Sequence, residues 1–175
     1  MRFTGRCYRG HDPMWSFTPM SGEGASKTGG RFNRRGEPTL YLALSIRAAV
    51  NEITQGLSLR LAPLTICEYD IDCEPIVDLS TLTAQSSHRV AASDLACSWM
   101  TFLDTSREAP SWLVVDKLKQ RGFAGMIAPS FAIGANFDDK NLILWKWGVD
   151  LPTHYGTIKS PIILIMRISY VGLRS

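Results

Sequence analysis

Apolar and polar positions alternate in a way that predicts several short strands and a few separate helices. Residues 2–9 read as a first strand ending at Tyr8-Arg9-Gly10. Residues 10–37 are rich in Gly, Pro, Ser and charge and carry little periodicity, so a long loop is expected. Thr39 to Ala43 is a short apolar strand. Ser45 is a good N-cap for a helix running to about Gln55, with Gly56 as its stop. Ile46, Ala49, Val50 and Ile53 recur at helical spacing and predict its buried face, with Glu52 beside that stripe.

Leu64–Ile71 and Pro75–Leu79 are further strands, and Ser93–Phe102 reads as a helix. Ser111–Gln120 reads as another helix, with Trp112, Val115 and Leu118 on one face and Arg121-Gly122 at its end. Gly125–Ala128, Asn141–Trp147 and Ile162–Tyr170 are the remaining strands, and Pro129–Lys140 is a second loop. Strands and helices do not alternate regularly. The expected class is therefore α+β, a single domain over 1–175 with a mixed β-sheet core flanked by helices.

Composition narrows the class. The 175 residues are 45% hydrophobic and 20% charged, the proportions of a soluble globular domain with a core of its own. A net charge of +3, with no basic run beyond Arg34-Arg35, argues against a dedicated nucleic-acid binder. Cys7, Cys67, Cys73 and Cys97 form no Cys-x-x-Cys pair and no zinc spacing, so no metal site is expected. The start Met1-Arg2-Phe3-Thr4 lacks the apolar segment of a secretory signal, which points to reduced cysteines in a cytoplasmic protein. The run Ile162–Met166 is too short to span a bilayer.

Candidate chemistry gathers around Gly29-Gly30-Arg31. A glycine pair can bring backbone N–H groups close to an anion, and an arginine can add a bidentate charged contact. The competing reading is a surface turn followed by a solvated arginine. Tyr41 offers a flat ring for stacking or is an ordinary core tyrosine. Glu52 could sit beside a developing ribosyl cation or be a solvated helix residue. The Ser130 hydroxyl could orient a ligand or a carboxylate, or belong to a turn, and Arg9 could be a second phosphate ligand or an edge charge. There is no dinucleotide fingerprint, Walker motif or Gly-x-Ser-x-Gly elbow, and no acidic cluster for metal ions. His11, His88 and His154 lie in polar or loop sequence, which leaves a histidine-based ribonuclease open.

In combination these residues resemble a known family. Gly29-Gly30-Arg31-Phe32-Asn33, then Tyr41-Leu42-Ala43 with Ser45, then Glu52, resembles the RES-domain toxins of bacterial toxin–antitoxin pairs. Tyr8-Arg9 before this block, and Pro129-Ser130 and Asn141-Leu142-Ile143-Leu144 after it, follow the same order. The resemblance covers roughly residues 6–147, whereas 148–175 match the family pattern poorly.

The resemblance implies an ADP-ribosyltransferase-like fold, NAD+ as the substrate with no metal, and an Xre-type antitoxin that blocks the active site. By that resemblance the catalytic residues are Glu52, Arg31, Tyr41 and Ser130, and the nucleotide-binding ones are Arg9, Gly30, Arg31, Tyr41 and Asn141. Arg9 and Arg31 would hold the pyrophosphate or adjacent ribose, and Tyr41 would pack near the nicotinamide. Glu52 would stabilise the ribosyl cation or orient the nucleophile, and Ser130 would position the ribose or Glu52. ADP-ribose could pass to a protein target, to water or to phosphate. A ribonuclease toxin and a non-catalytic nucleotide- or antitoxin-binding module are the alternatives. Either a homo-oligomer or a hetero-oligomer with the antitoxin fits.

Overall fold

The computed structural model describes residues 1–12, 18–54, 64–105, 107–148 and 157–166. Its strands are β1 (Phe3–His11), β2 (Leu40–Ala43), β3 (Leu64–Cys73), β4 (Ile76–Asp78), β5 (Gly125–Pro129), β6 (Lys140–Leu144) and β7 (Thr157–Met166). Its helices are α1 (Glu23–Thr28), α2 (Ile46–Thr54), α3 (Leu82–Ser87), α4 (Ala92–Leu95) and α5 (Pro110–Gln120), with a 3₁₀ turn at Trp99–Phe102. All seven strands form one sheet in the order β4-β5-β6-β2-β1-β3-β7. Only β4 and β5 run parallel, joined by a crossover that contains α3, α4 and α5. The fold is α+β with a mixed sheet flanked by helices, as the strand and helix pattern predicts.

Side-chain alternation gives the sheet two faces. Leu40, Leu42, Ile127, Leu142 and Leu144 pack together on one face with Cys7, Cys67 and Tyr69. Met126, Ala128 and Ile143 lie on the other face under Val114, Val115 and Leu118 of α5. Tyr41 and Ala43 share that second face, because they pair directly with Ile143 and Asn141. α2 covers the same face near β1 through Ala48 and Ala49. Those small residues let the helix sit close to the sheet. Ile46 and Ile53, expected on the buried stripe, are 38% and 40% exposed.

The sheet forks between β1 and β2. Their only paired residues are Tyr8 and Ala43, whereas β1 pairs with β3 along its whole length, from Phe3 opposite Cys73 to His11 opposite Thr65. Beyond Tyr8 the two strands part, leaving Arg9 and Gly10 on one edge and Tyr41 and Leu42 on the other.

Several boundaries differ from the sequence reading for identifiable reasons. β1 continues to His11 because β3 supplies partners that far. The 10–37 stretch contains α1, whose C-cap Gly29 has φ of 73°. The helix expected over 93–102 breaks into α4 and the 3₁₀ turn, where the carbonyls of Leu95 and Cys97 accept from Arg31 Nη1 instead. α3 was not anticipated, although Thr81 caps it by accepting from the Ala84 amide at 3.2 Å. β6 stops at Leu144 because the amides of Trp145 and Lys146 both turn to the Ala124 carbonyl. Gln55, Gly56 and residues 167–170 of the expected last strand lie outside the described residues.

Candidate active site

The glycine block forms a tight turn after α1. The Gly29 amide donates to the Ala25 carbonyl at 2.8 Å and the Gly30 amide to the Asn33 carbonyl at 3.0 Å. Both N–H groups are therefore used inside the protein, which corrects the expectation of a backbone cradle for a pyrophosphate. Gly30 has a packing role instead. A Cβ there would lie 2.6 Å from Asn33 Oδ1 and 2.7 Å from the Tyr41 hydroxyl. Asn33, buried, donates through Nδ2 to the carbonyls of Ala25, Arg34 and Glu37 and closes the turn on itself.

α5 holds this turn against the sheet. Trp112 Nε1 donates to the Gly30 carbonyl at 2.9 Å, and Ser111 Oγ donates to the Arg31 carbonyl. Arg34 reaches Asp116 with two bonds of 3.0 and 2.8 Å, and Lys119 pairs with Glu37 at 2.9 Å. The backbone of residues 30–37 is thus tied to one helix face, and the Arg31 side chain leaves it in a set direction.

The Arg31 guanidinium donates to the Cys97 carbonyl at 2.7 Å and the Leu95 carbonyl at 3.1 Å, and lies 4.4 Å from the centre of the Phe131 ring. Partial burial lowers its pKa, opposed by Cys97, Glu52 and Tyr41. An arginine stays charged through such a shift. Tyr41 is anchored at its hydroxyl, which donates to Asn33 Oδ1 at 2.7 Å and accepts from the Phe32 amide at 3.0 Å. Burial pushes the Tyr41 phenol well above its ordinary pKa, so it stays protonated.

Glu52 comes from α2, whose start is capped by Ser45 accepting from the Ala48 amide at 3.1 Å. Its position four residues after Ala48 turns it toward the sheet. Two donors meet on one of its oxygens: Ser130 Oγ at 2.7 Å and Asn141 Nδ2 at 2.5 Å, both to Oε1. Ser130 Oγ also accepts from the Ala132 amide at 3.2 Å. Asn141 sits beside Ala43 and Ala128 in the ladder, and its Oδ1 is buried with no hydrogen-bond partner among the described residues.

Two adjoining cavities open here. One, of about 160 Å³, is lined by Gly30, Arg31, Tyr41, Glu52, Trp99, Phe131 and Asn141 among others. The next, of about 230 Å³, lies at the fork between Arg9-Gly10 and Tyr41-Leu42 and again includes Glu52 and Asn141. Arg31, Tyr41, Glu52 and Asn141 thus meet in one cleft, and Ser130 joins them through the Glu52 carboxylate.

Arg9 reaches the cleft differently. It pairs with Cys67 in the ladder and so projects to the face opposite Tyr41. Its guanidinium donates to the carbonyls of Ser21 at 2.8 Å and Pro19 at 3.3 Å, and burial lowers its pKa. Phe131, Trp99 and Asn33 complete the site and were given no role in the sequence reading. The signal for Phe131 was its place directly after Ser130. His11, expected in polar or loop sequence, is a buried β1 residue bonded to the Tyr69 hydroxyl at 3.0 Å. His88 lies at the end of α3 against Arg121, and His154 is outside the described residues.

Among the described residues no group of three or more His, Cys, Asp or Glu is arranged to hold a metal ion. Nor is any described helix long and apolar enough to cross a membrane.

Fold and cleft together define an α+β protein with a braced carboxylate and a half-buried arginine at a sheet fork. The sequence matches the family model of the RES domain over residues 6–157, and the chain belongs to that family. Among solved structures it is similar to the M. tuberculosis MbcT–MbcA toxin–antitoxin complex, with a TM-score of 0.62 and 19% identity. That likeness covers 94% of this chain and 86% of the other. No curated protein matches at the sequence level.

Proposed function

We propose that this protein is the toxin of a toxin–antitoxin pair and consumes NAD+ by breaking the nicotinamide–ribose bond. The observation that carries this reading is the bracing of Glu52 by Ser130 and Asn141, in a cleft shared with Arg31 and Tyr41. As the C1–N bond breaks, its electron pair returns to the nicotinamide nitrogen and positive charge develops at the ribose C1. A carboxylate already held in place stabilises that charge without reorganising. Ser130 and Asn141 fix its orientation.

Arg31 and Arg9 would hold the pyrophosphate or its ribose from the two sides of the fork, and Tyr41 would pack near the nicotinamide. Gly30 lines the cleft without offering its amide. The acceptor attacks C1 and loses a proton: a protein side chain gives mono-ADP-ribosylation, and water or phosphate gives NAD+ depletion. The protein would work in the cytoplasm beside an Xre-type antitoxin, as a homo-oligomer or in a complex with it. The MbcT–MbcA structure, a toxin–antitoxin complex, supports an antitoxin as the partner class.

The test is to incubate purified protein with NAD+, with and without bacterial lysate. The expected result is free nicotinamide, and the arm in which it forms reports the acceptor. NAD+ unchanged in both arms overturns the proposal. Undiminished toxicity of Glu52→Ala with unchanged cellular NAD+ points instead to a ribonuclease.

A further inference from the structure

Asp139 is a carboxylate only 2% exposed, at the end of the loop that carries Ser130. Its Oδ1 lies 2.8 Å from Arg47 Nη2, and its Oδ2 accepts from the Asn136 amide at 2.8 Å. Its own carbonyl accepts from the Ser130 amide at 2.8 Å, and its amide donates to the Asn136 carbonyl at 3.0 Å. One residue therefore ties the start, the middle and the end of the loop together. Arg47 belongs to the first turn of α2, the helix that carries Glu52. One turn later Asn51 Nδ2 donates to the Gly134 carbonyl at 3.3 Å, so the same helix face grips the loop twice.

The two donors to Glu52 depend on this grip unequally. Asn141 is held by strand partners on both sides, Ala43 and Ala128. Ser130 lies outside the strands, and its backbone is fixed through Asp139. A buried carboxylate whose cation is removed keeps its desolvation cost and reorganises around its remaining donors.

We propose that Arg47 and Asp139 are positioning residues whose ion pair seats the 130–139 loop against α2, so that Ser130 meets Glu52. The inference rests on the reading of Glu52 given above, and its test has one arm that needs no turnover. In nicotinamide release, Arg47→Met lowers kcat about tenfold and moves KM less than about twofold, because a small misplacement near the reacting centre acts on the transition state. Ser130→Ala costs about tenfold alone but under about twofold on top of Arg47→Met, since coupled residues are not additive. Asn141→Ala loses the same factor in both backgrounds, and Arg47→Lys restores most of kcat. Fully additive losses for Arg47 and Ser130 overturn the proposal.

In the second arm, amide hydrogen exchange at Ser130 and Asn136 speeds up in Arg47→Met while β5 amides are unchanged. Unchanged protection at both loop amides overturns the positioning role. If the wild type releases no nicotinamide, the NAD+ reading fails and the exchange arm alone decides this one.

Discussion

Arginines are held in opposite ways in two regions of the molecule. At the α5 face Arg34 is bound by carboxylates: Asp116, Glu108 and Glu37 all lie within 3.4 Å. Its pKa is raised, chiefly by the bonds to Asp116. At the sheet fork Arg31 and Arg9 hydrogen-bond neutral carbonyls among the described residues, and burial lowers both. Carbonyls fix a guanidinium without cancelling its charge, whereas carboxylates cancel it. The first arrangement builds the loop, and the second leaves positive charge facing a cleft.

Several measurements can break or sharpen that contrast. The largest effect is expected at the group the cleft serves. Glu52→Gln should lower kcat about a thousandfold with little change in NAD+ affinity, since the proposed work of Glu52 is in the transition state. A comparable loss of affinity, seen by calorimetry, would sink that role.

Arg31→Met should lower kcat/KM about a hundredfold, with KM raised, because the proposed charged contact to the nucleotide is lost. Arg34→Met should instead leave kcat/KM within a few-fold and reduce stability by about 2 kcal/mol, read in urea, because it strands partly buried carboxylates. If both variants affect the same quantity, the distinction between the two regions is wrong.

His11 supplies a third measurement. Burial, then the Arg9 charge, lowers its pKa from 6.5 to about 4. Between those values the unfolded chain binds the extra proton, so stability is complete above about 6.5 and is lost as pH falls toward about 4. The loss should be on the order of 3 kcal/mol at most, and His11→Gln should flatten it. A melting temperature equally steep in both proteins over that window would refute the assignment.

The smallest effect concerns Arg9 itself. Arg9→Met should raise the His11 titration midpoint, seen by NMR, by less than about one unit, because burial is the larger cause. No movement at all would mean that the Arg9 charge is neutralised after all.

Much of the local structure was legible in the sequence. The α2 start was readable because Ser45 is a cap and caps act locally. The α5 face was readable because Trp112, Val115 and Leu118 repeat at helical spacing, and all three are buried. The break at Leu95–Cys97 was not readable, since it answers to an arginine 64 residues earlier in the chain. The glycine pair misled for a related reason: whether its amides are free depends on Ala25 and Asn33 closing the turn. The side on which Arg9 projects was hidden until its ladder partner Cys67 was known.

The sequence by itself determined most of the strands, the helices α2 and α5, the order of the chemistry-bearing residues and the family, because propensity, capping and motif spacing are properties of neighbours along the chain. Only the tertiary structure decided that Ser130 and Asn141 share one oxygen of Glu52, from 78 and 89 residues away. It also decided that β1 and β2 part after a single pair and open the cleft there. Contacts of that range depend on strand order and register, which arise from packing the whole sheet and leave no periodic trace in any one segment.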